Sequence, residues 1–166
     1  LNECMSPYGG FDHNIQTLRI VNILETKYYN FKGLNLSFET IDGLVKHNGP
    51  VTNTKKLDQI LGKNFFKKKI NFTKNASLEA QLAAISDDIA YNSHDLEDGL
   101  RANLYKIEDL KDIPILSEIV NKHKIFIKTK GTELMIRQVI RDIINEMVND
   151  IILNTQKKIK EKKIKK

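Results

Sequence analysis

The chain has 166 residues, 40% hydrophobic and 29% charged, which is ordinary for one globular domain and enough to bury a core. Its net charge of +6 does not describe a basic body, because residues 157 to 166 carry seven lysines and one glutamate and so account for all of it. No run reaches the ~18 apolar residues of a membrane span, nothing at the start reads as a secretory leader, and the single Cys4 excludes an internal disulfide.

A reducing cytoplasm is therefore the expected compartment. The lysine-rich end is read first as a solvated, frayed helix terminus, and only secondarily as a nucleic-acid-binding arm. Leu1 stands where an initiator Met is absent, and the end runs out in a helical lysine pattern, so both ends look cut.

In chain order, Ser6-Pro7 and Gly9-Gly10 break the first short segment. Ile15, Leu18, Val21, Leu24 and Tyr28 then recur at helical spacing, predicting a helix that ends near Phe31 to Gly33. Ser37 is an N-cap with Glu39 in the first turn, and Phe38, Ile41, Leu44 and Val45 face inward before the Asn48-Gly49-Pro50 turn. Residues 51 to 75 read as an exposed, lysine-rich loop with a short helix over 55 to 62, anchored by Leu57, Ile60, Leu61 and the Phe65-Phe66 pair. Ser77 caps a helix to about Leu100, and Pro114 opens another reaching about Asn121. His123 to Thr129 is the one strand candidate. After Gly131 and Thr132, Ile136, Val139, Ile140, Ile143, Met147, Val148 and Ile151 form the apolar stripe of a last long helix. The expected class is all-α.

The helix from Ser77 carries the chemistry. At about 100° per residue, with Asp87 at zero, Tyr91 falls near 40° and Asp95 near 80°, with His94 and Asp98 within about 20° of Asp87. Leu78, Leu82, Ile85, Ile89, Leu96 and Leu100 gather around the opposite pole. Asp is a weak helix former, so four interior aspartates are a cost that suggests a task. The plainer alternative is an amphipathic helix with a wet acidic face. A carboxylate, a phenol and a second carboxylate at i, i+4 and i+8 suit one metal ligand followed by contacts to a sugar or phosphate. One Asp cannot hold a metal alone. His13, His47, His94 and His123 are scattered, and none is paired with another at ligand spacing.

Ser86-Asp87-Asp88-Ile89-Ala90-Tyr91-Asn92-Ser93-His94-Asp95-Leu96-Glu97-Asp98 resembles a signature of the bacterial dGTPase-like proteins of the HD-domain superfamily. Gly9-Gly10-Phe11-Asp12-His13-Asn14-Ile15-Gln16-Thr17-Leu18-Arg19, Gly33 to Ser37 and Gly43 to Pro50 are similar to three further blocks in the same order. The resemblance is strong over residues 1 to 105 and loose over 106 to 155. It implies the C-terminal half of an HD-type hydrolase core (1–105), a truncated helical extension (106–155) and a Lys-rich tail (156–166).

The implied activity is cleavage of a deoxynucleoside triphosphate, dGTP favoured, to the deoxynucleoside and triphosphate, with a divalent metal (Mg²⁺ or Mn²⁺) and an activated water at the α-phosphate. By resemblance Asp87 is a metal ligand, Tyr91 and Asp95 contact the nucleotide, Lys46 suits the triphosphate, and Asn14 is a further polar contact. His47 stands where a Tyr is more usual after that lysine. The family's first His, its His-Asp pair and a catalytic His-x-x-Glu lie upstream of the Leu1 to Met5 segment, so no catalytic residue is assigned. The expectation is a fragment, impaired alone and of low solubility. The alternative is a non-catalytic helical interaction fragment that pairs with an N-terminal partner or forms homo-oligomers.

Overall fold

The computed structural model describes residues 1–61 and 70–163. Within them every regular element is helical, so the chain is all-α. Two units of structure divide the chain, Leu1–Ala84 and Ile85–Lys166.

In the first unit, α1 (Asn2–Met5) and a 3₁₀ turn (Ser6–Tyr8) lead through Gly9 and Gly10 into α2 (His13–Arg19). Asp12 caps α2, its Oδ1 accepting from the Ile15 N–H at 3.1 Å. The α-helix does not run on to Phe31 as its apolar period predicts. It loosens into one π turn, Ile20–Leu24, and ends with Glu25 N–H donating to the Ile20 carbonyl. Asn22 supplies a reason, since its Nδ2 donates to the Leu18 carbonyl at 2.9 Å and competes with the backbone ladder. Leu34 N–H then donates back to the Val21 carbonyl at 2.7 Å. Gly33 (φ 69°) lets the chain pass there, because a Cβ on it would lie 2.4 Å from the Val21 carbonyl oxygen.

Helix α3 (Phe38–Val45) starts on the Ser37 hydroxyl as expected, and α4 (Lys55–Leu61) matches the short helix read from the sequence. The surrounding 51–75 stretch is not simply an exposed loop. Ile70 and Phe72 are buried with Leu18, Ile41, Val45 and Leu57, and Val51 N–H donates to the Phe72 carbonyl at 2.8 Å. Apolar anchors too sparse to show a period find their partners only through tertiary pairing. The Phe65-Phe66 pair and the Leu61 side chain lie outside the described residues.

In the second unit the core joins the C-terminal end of α5 (Leu78–Arg101) to a 3₁₀ segment (Ile107–Asp112), α6 (Pro114–Lys130) and α7 (Thr132–Glu161). α6 and α7 form a helical hairpin reversed at Gly131 (φ 86°). The strand expected at His123 to Thr129 is instead the last part of α6. Its local alternation of apolar and polar residues loses to a helical run already set by Leu116, Ile119, Val120 and His123, all buried at i, i+3, i+4 and i+7.

His123 reaches across the hairpin, its Nε2 2.7 Å from Asp142 Oδ2 on α7. The same carboxylate accepts from Lys122 at 3.2 Å and Gln138 at 3.0 Å. The His123 bond above all, then the Lys122 and Gln138 bonds, hold the Asp142 carboxyl below its ordinary range, against the opposing effect of burial. A group whose folded pKa is depressed stabilises the fold fully above its unfolded pKa of about 3.9, and loses that contribution as pH falls through the folded value. Asp142→Ala is thus expected to cost about 1–3 kcal/mol at pH 6, the size of hydrogen bonds to a charged group. The gap from the parent chain should narrow at pH 2.5. Urea denaturation at the two pH values measures it, and a gap of equal size at both would disprove the linkage.

Candidate functional site

Helix α5 begins with Ser77 accepting from the Ala80 N–H at 3.2 Å. It ends in a Schellman turn: Leu104 N–H donates to the Gly99 carbonyl at 3.0 Å, Asn103 N–H to the Leu100 carbonyl at 3.2 Å, and Asn103 takes the left-handed conformation (φ 55°). Between these caps Asp87, Tyr91 and Asp95 are all exposed, Tyr91 at 65%. At 1.5 Å per residue they mark a line of about 12 Å along one side of the helix. His94 and Asp98 beside them are exposed as well.

The opposite side is buried only toward its C-terminal end, where Ile89 and Leu100 are buried and Leu96 packs against the core. Leu78, Leu82 and Ile85, expected on the same buried face, are exposed. The amphipathic period groups them on one side of the helix, but among the described residues that length of the face is more exposed than its C-terminal end.

One brace on this helix was not legible as a function. Tyr105 Oη lies 3.3 Å from the Asp95 carbonyl and 3.2 Å from the Leu96 carbonyl, donating to α5 at the level of the second carboxylate. Gly99 makes room for it, since a Cβ there would stand 2.2 Å from that oxygen. An isolated glycine inside a helical pattern was the available signal.

The other two candidates belong to the first unit. Lys46, at the C-terminal end of α3, is 5% exposed, and its Nζ is ion-paired to Asp42 one turn earlier. Its charge is therefore already matched within the protein. Asn14, in the first turn of α2, is half-buried and lines a cavity with Asp12, Leu18 and Asn53. His47 is half-buried, and His123 is the buried partner of Asp142. Among the described residues no three His, Cys, Asp or Glu side chains come together to hold a metal. Asp87 offers a single carboxylate, so the residues present do not by themselves make a metal centre.

The described residues also contain no helix long and apolar enough to cross a membrane. No family model matches the chain. Curated relatives do. The deoxyguanosinetriphosphate triphosphohydrolase-like protein of Pelagibacter ubique (strain HTCC1062) is 54% identical over 142 residues, 86% of this chain and 38% of the relative. The chain belongs to this family. The proteins of the same name from Parvibaculum lavamentivorans and Azorhizobium caulinodans are 41% and 37% identical, over 97% and 99% of the chain. The chain spans 42% and 44% of their respective lengths.

Proposed function

We propose that this chain supplies one wall of a deoxynucleoside triphosphate triphosphohydrolase site, with dGTP the favoured substrate. The observation that carries this reading is the line of Asp87, Tyr91 and Asp95, solvent-facing on a helix braced beneath by Ile89, Leu96 and Leu100. The names of the homologous proteins support the same reaction class. Asp87 gives one carboxylate to a divalent cation, Mg²⁺ or Mn²⁺, whose remaining ligands come from outside these residues. Tyr91 and Asp95 meet the nucleotide one and two turns further on, and a phenol and a carboxylate there can orient a sugar hydroxyl. Asn14 is a further substrate contact. Lys46 serves the triphosphate only by exchanging its Asp42 partner for a phosphate oxygen. In this reading residues 1–105 are the C-terminal half of an HD-type hydrolase core and 106–155 a helical extension, in a cytoplasmic protein.

The rest of the site lies outside these residues, in an N-terminal segment or in another copy. The chain alone is then inactive or impaired. Triphosphate release from dGTP with Mn²⁺ tests this. Mixing the chain with the N-terminal segment of the Pelagibacter relative is expected to give turnover that neither piece shows alone. Strong turnover by the isolated chain, or none by the mixture after the two co-purify, would overturn it.

A second reading, a non-catalytic helical module, is favoured by one observation. Leu78, Leu82 and Ile85 lie exposed along one side of α5, the kind of apolar surface that marks a contact. It expects the N-terminal segment to co-purify with the chain and the complex to release no triphosphate.

A further inference from the structure

We infer that Tyr105 is a positioning residue, which fixes the turn of α5 that presents Asp95 to the nucleotide and leaves Asp87 untouched. The inference rests on the hydrolase reading above for the role of Asp95. The rest of the case is the way this chain holds the two ends of the acidic line.

The line is held unevenly. Ile85, Ser86, Asp87 and Asp88 are all exposed, so the turn with the metal-side carboxylate is its open end. From Ile89 onward the helix is seated: Ile89, Ser93, Gly99 and Leu100 are buried, and Leu96 packs on the core of the second unit. Arg101 adds a tie at this end, donating from Nε and Nη2 to Glu97 Oε1 at 2.9 and 2.8 Å, with Nη1 3.5 Å from Glu133 on α7. Arg101 and Glu133 are exposed, and ion pairs at the surface hold a helix weakly.

Tyr105 makes the tie that reaches inside. Its ring packs against the core cluster, in the notch left by the missing side chain of Gly99. That seats Oη between two carbonyls, 3.3 Å from Asp95 and 3.2 Å from Leu96. One N–H or O–H shared between neighbouring carbonyls is a three-centre bond, a common arrangement near helix ends. Each of these carbonyls also faces the amide four residues on, at Gly99 and Leu100, in the α-helical ladder. The hydroxyl therefore ties the backbone of Asp95 itself, one bond from the Cα that carries the carboxylate. Asp87 lies about 12 Å back along the axis, beyond any direct effect of this bond. A carboxylate that orients a sugar hydroxyl gains from such a fixed base, because a small misplacement forfeits the contact.

Tyr105→Phe is the informative variant, since it keeps the ring in its notch and deletes only the O–H. Its circular dichroism should match that of the parent chain. In the chain reconstituted with the N-terminal segment of the Pelagibacter relative, it should raise KM for dGTP about two- to ten-fold, the effect of one hydrogen bond. The kcat should stay within about two-fold, as when an interaction common to the bound and transition states is lost. The Mn²⁺ concentration that gives half-maximal rate should not move. In an Asp95→Ala background the same change should add nothing to KM, whereas a general loosening of α5 would add as much as before. A second readout needs no turnover. Hydrogen exchange in the intact chain should quicken several-fold at the Gly99 and Leu100 amides and hold steady at Tyr91. Unchanged KM, an undiminished effect in the Asp95→Ala background, a shifted Mn²⁺ requirement, or unchanged exchange at Gly99 and Leu100 would each overturn the positioning role. With turnover intact, those results leave the hydrolase reading standing. No turnover in the mixture, after the two pieces co-purify, sinks the hydrolase reading and takes the role of Tyr105 with it, whatever the exchange shows.

Discussion

Asp87→Ala in the chain reconstituted with an N-terminal segment is expected to lower triphosphate release about 10³-fold, whereas Asp88→Ala should change it less than about three-fold. The first figure is the loss typical of removing one preorganised electrostatic group from an active site. The contrast is the stronger part of the prediction. The two aspartates are chain neighbours on the same helix, both exposed, with the same intrinsic chemistry. They differ by about 100° of rotation, and only Asp87 shares its side with Tyr91 and Asp95. A general effect of acidic charge on nucleotide approach would move both variants alike. Measuring kcat and KM for each with dGTP and Mn²⁺ separates the cases, since a charge that merely repels the triphosphate would raise activity when removed. Equal losses at the two positions would mean that the stripe is a solvated acidic face and not a site.

That stripe was legible in the sequence because it depends only on helix periodicity. Ser77 marks the start of α5, Asp87, Tyr91 and Asp95 follow at one-turn intervals, and no long-range information is needed to align them. The same holds for Ser37 at the start of α3, Pro114 at the start of α6 and Gly131 before α7, where one side chain or one missing side chain determines the local backbone. What was not legible depends on partners distant in sequence. Ile70 and Phe72 join the core of the first unit, in one cluster with Leu18 and Ile41, and nothing near residue 70 announces it. Asn22 ends the α-helical geometry of its segment by a bond to Leu18, against an apolar period that continues. The Lys46–Asp42 spacing is visible as an i, i+4 pair, but not the fact that the pair's lysine is buried. Leu78, Leu82 and Ile85 show the converse: the period places them on the buried side, and only the structure tells that they are exposed.

Gly99→Ala is expected to destabilise the second unit by about 1–3 kcal/mol, although alanine is the better helix former by about 1 kcal/mol. Propensity loses because the new methyl would stand 2.2 Å from Tyr105 Oη and 2.4 Å from its Cζ, inside any tolerable contact. Overpacking of a fixed neighbour costs about 1–3 kcal/mol. Moving the Tyr105 ring aside also releases its hydroxyl from the Asp95 and Leu96 carbonyls, at about 1 kcal/mol for a typical hydrogen bond. The two routes to relief are distinguishable by a double-mutant cycle. Tyr105→Ala alone should be destabilising through lost packing on the core cluster. In that background Gly99→Ala should cost nothing and return up to about 1 kcal/mol, since the obstacle is gone and only the helix propensity remains. Urea denaturation of the four chains, followed by circular dichroism, gives the coupling energy. If Gly99→Ala costs the same with and without the Tyr105 side chain, then the glycine is required by the backbone at the Schellman turn, and Tyr105 does not brace the helix at Asp95.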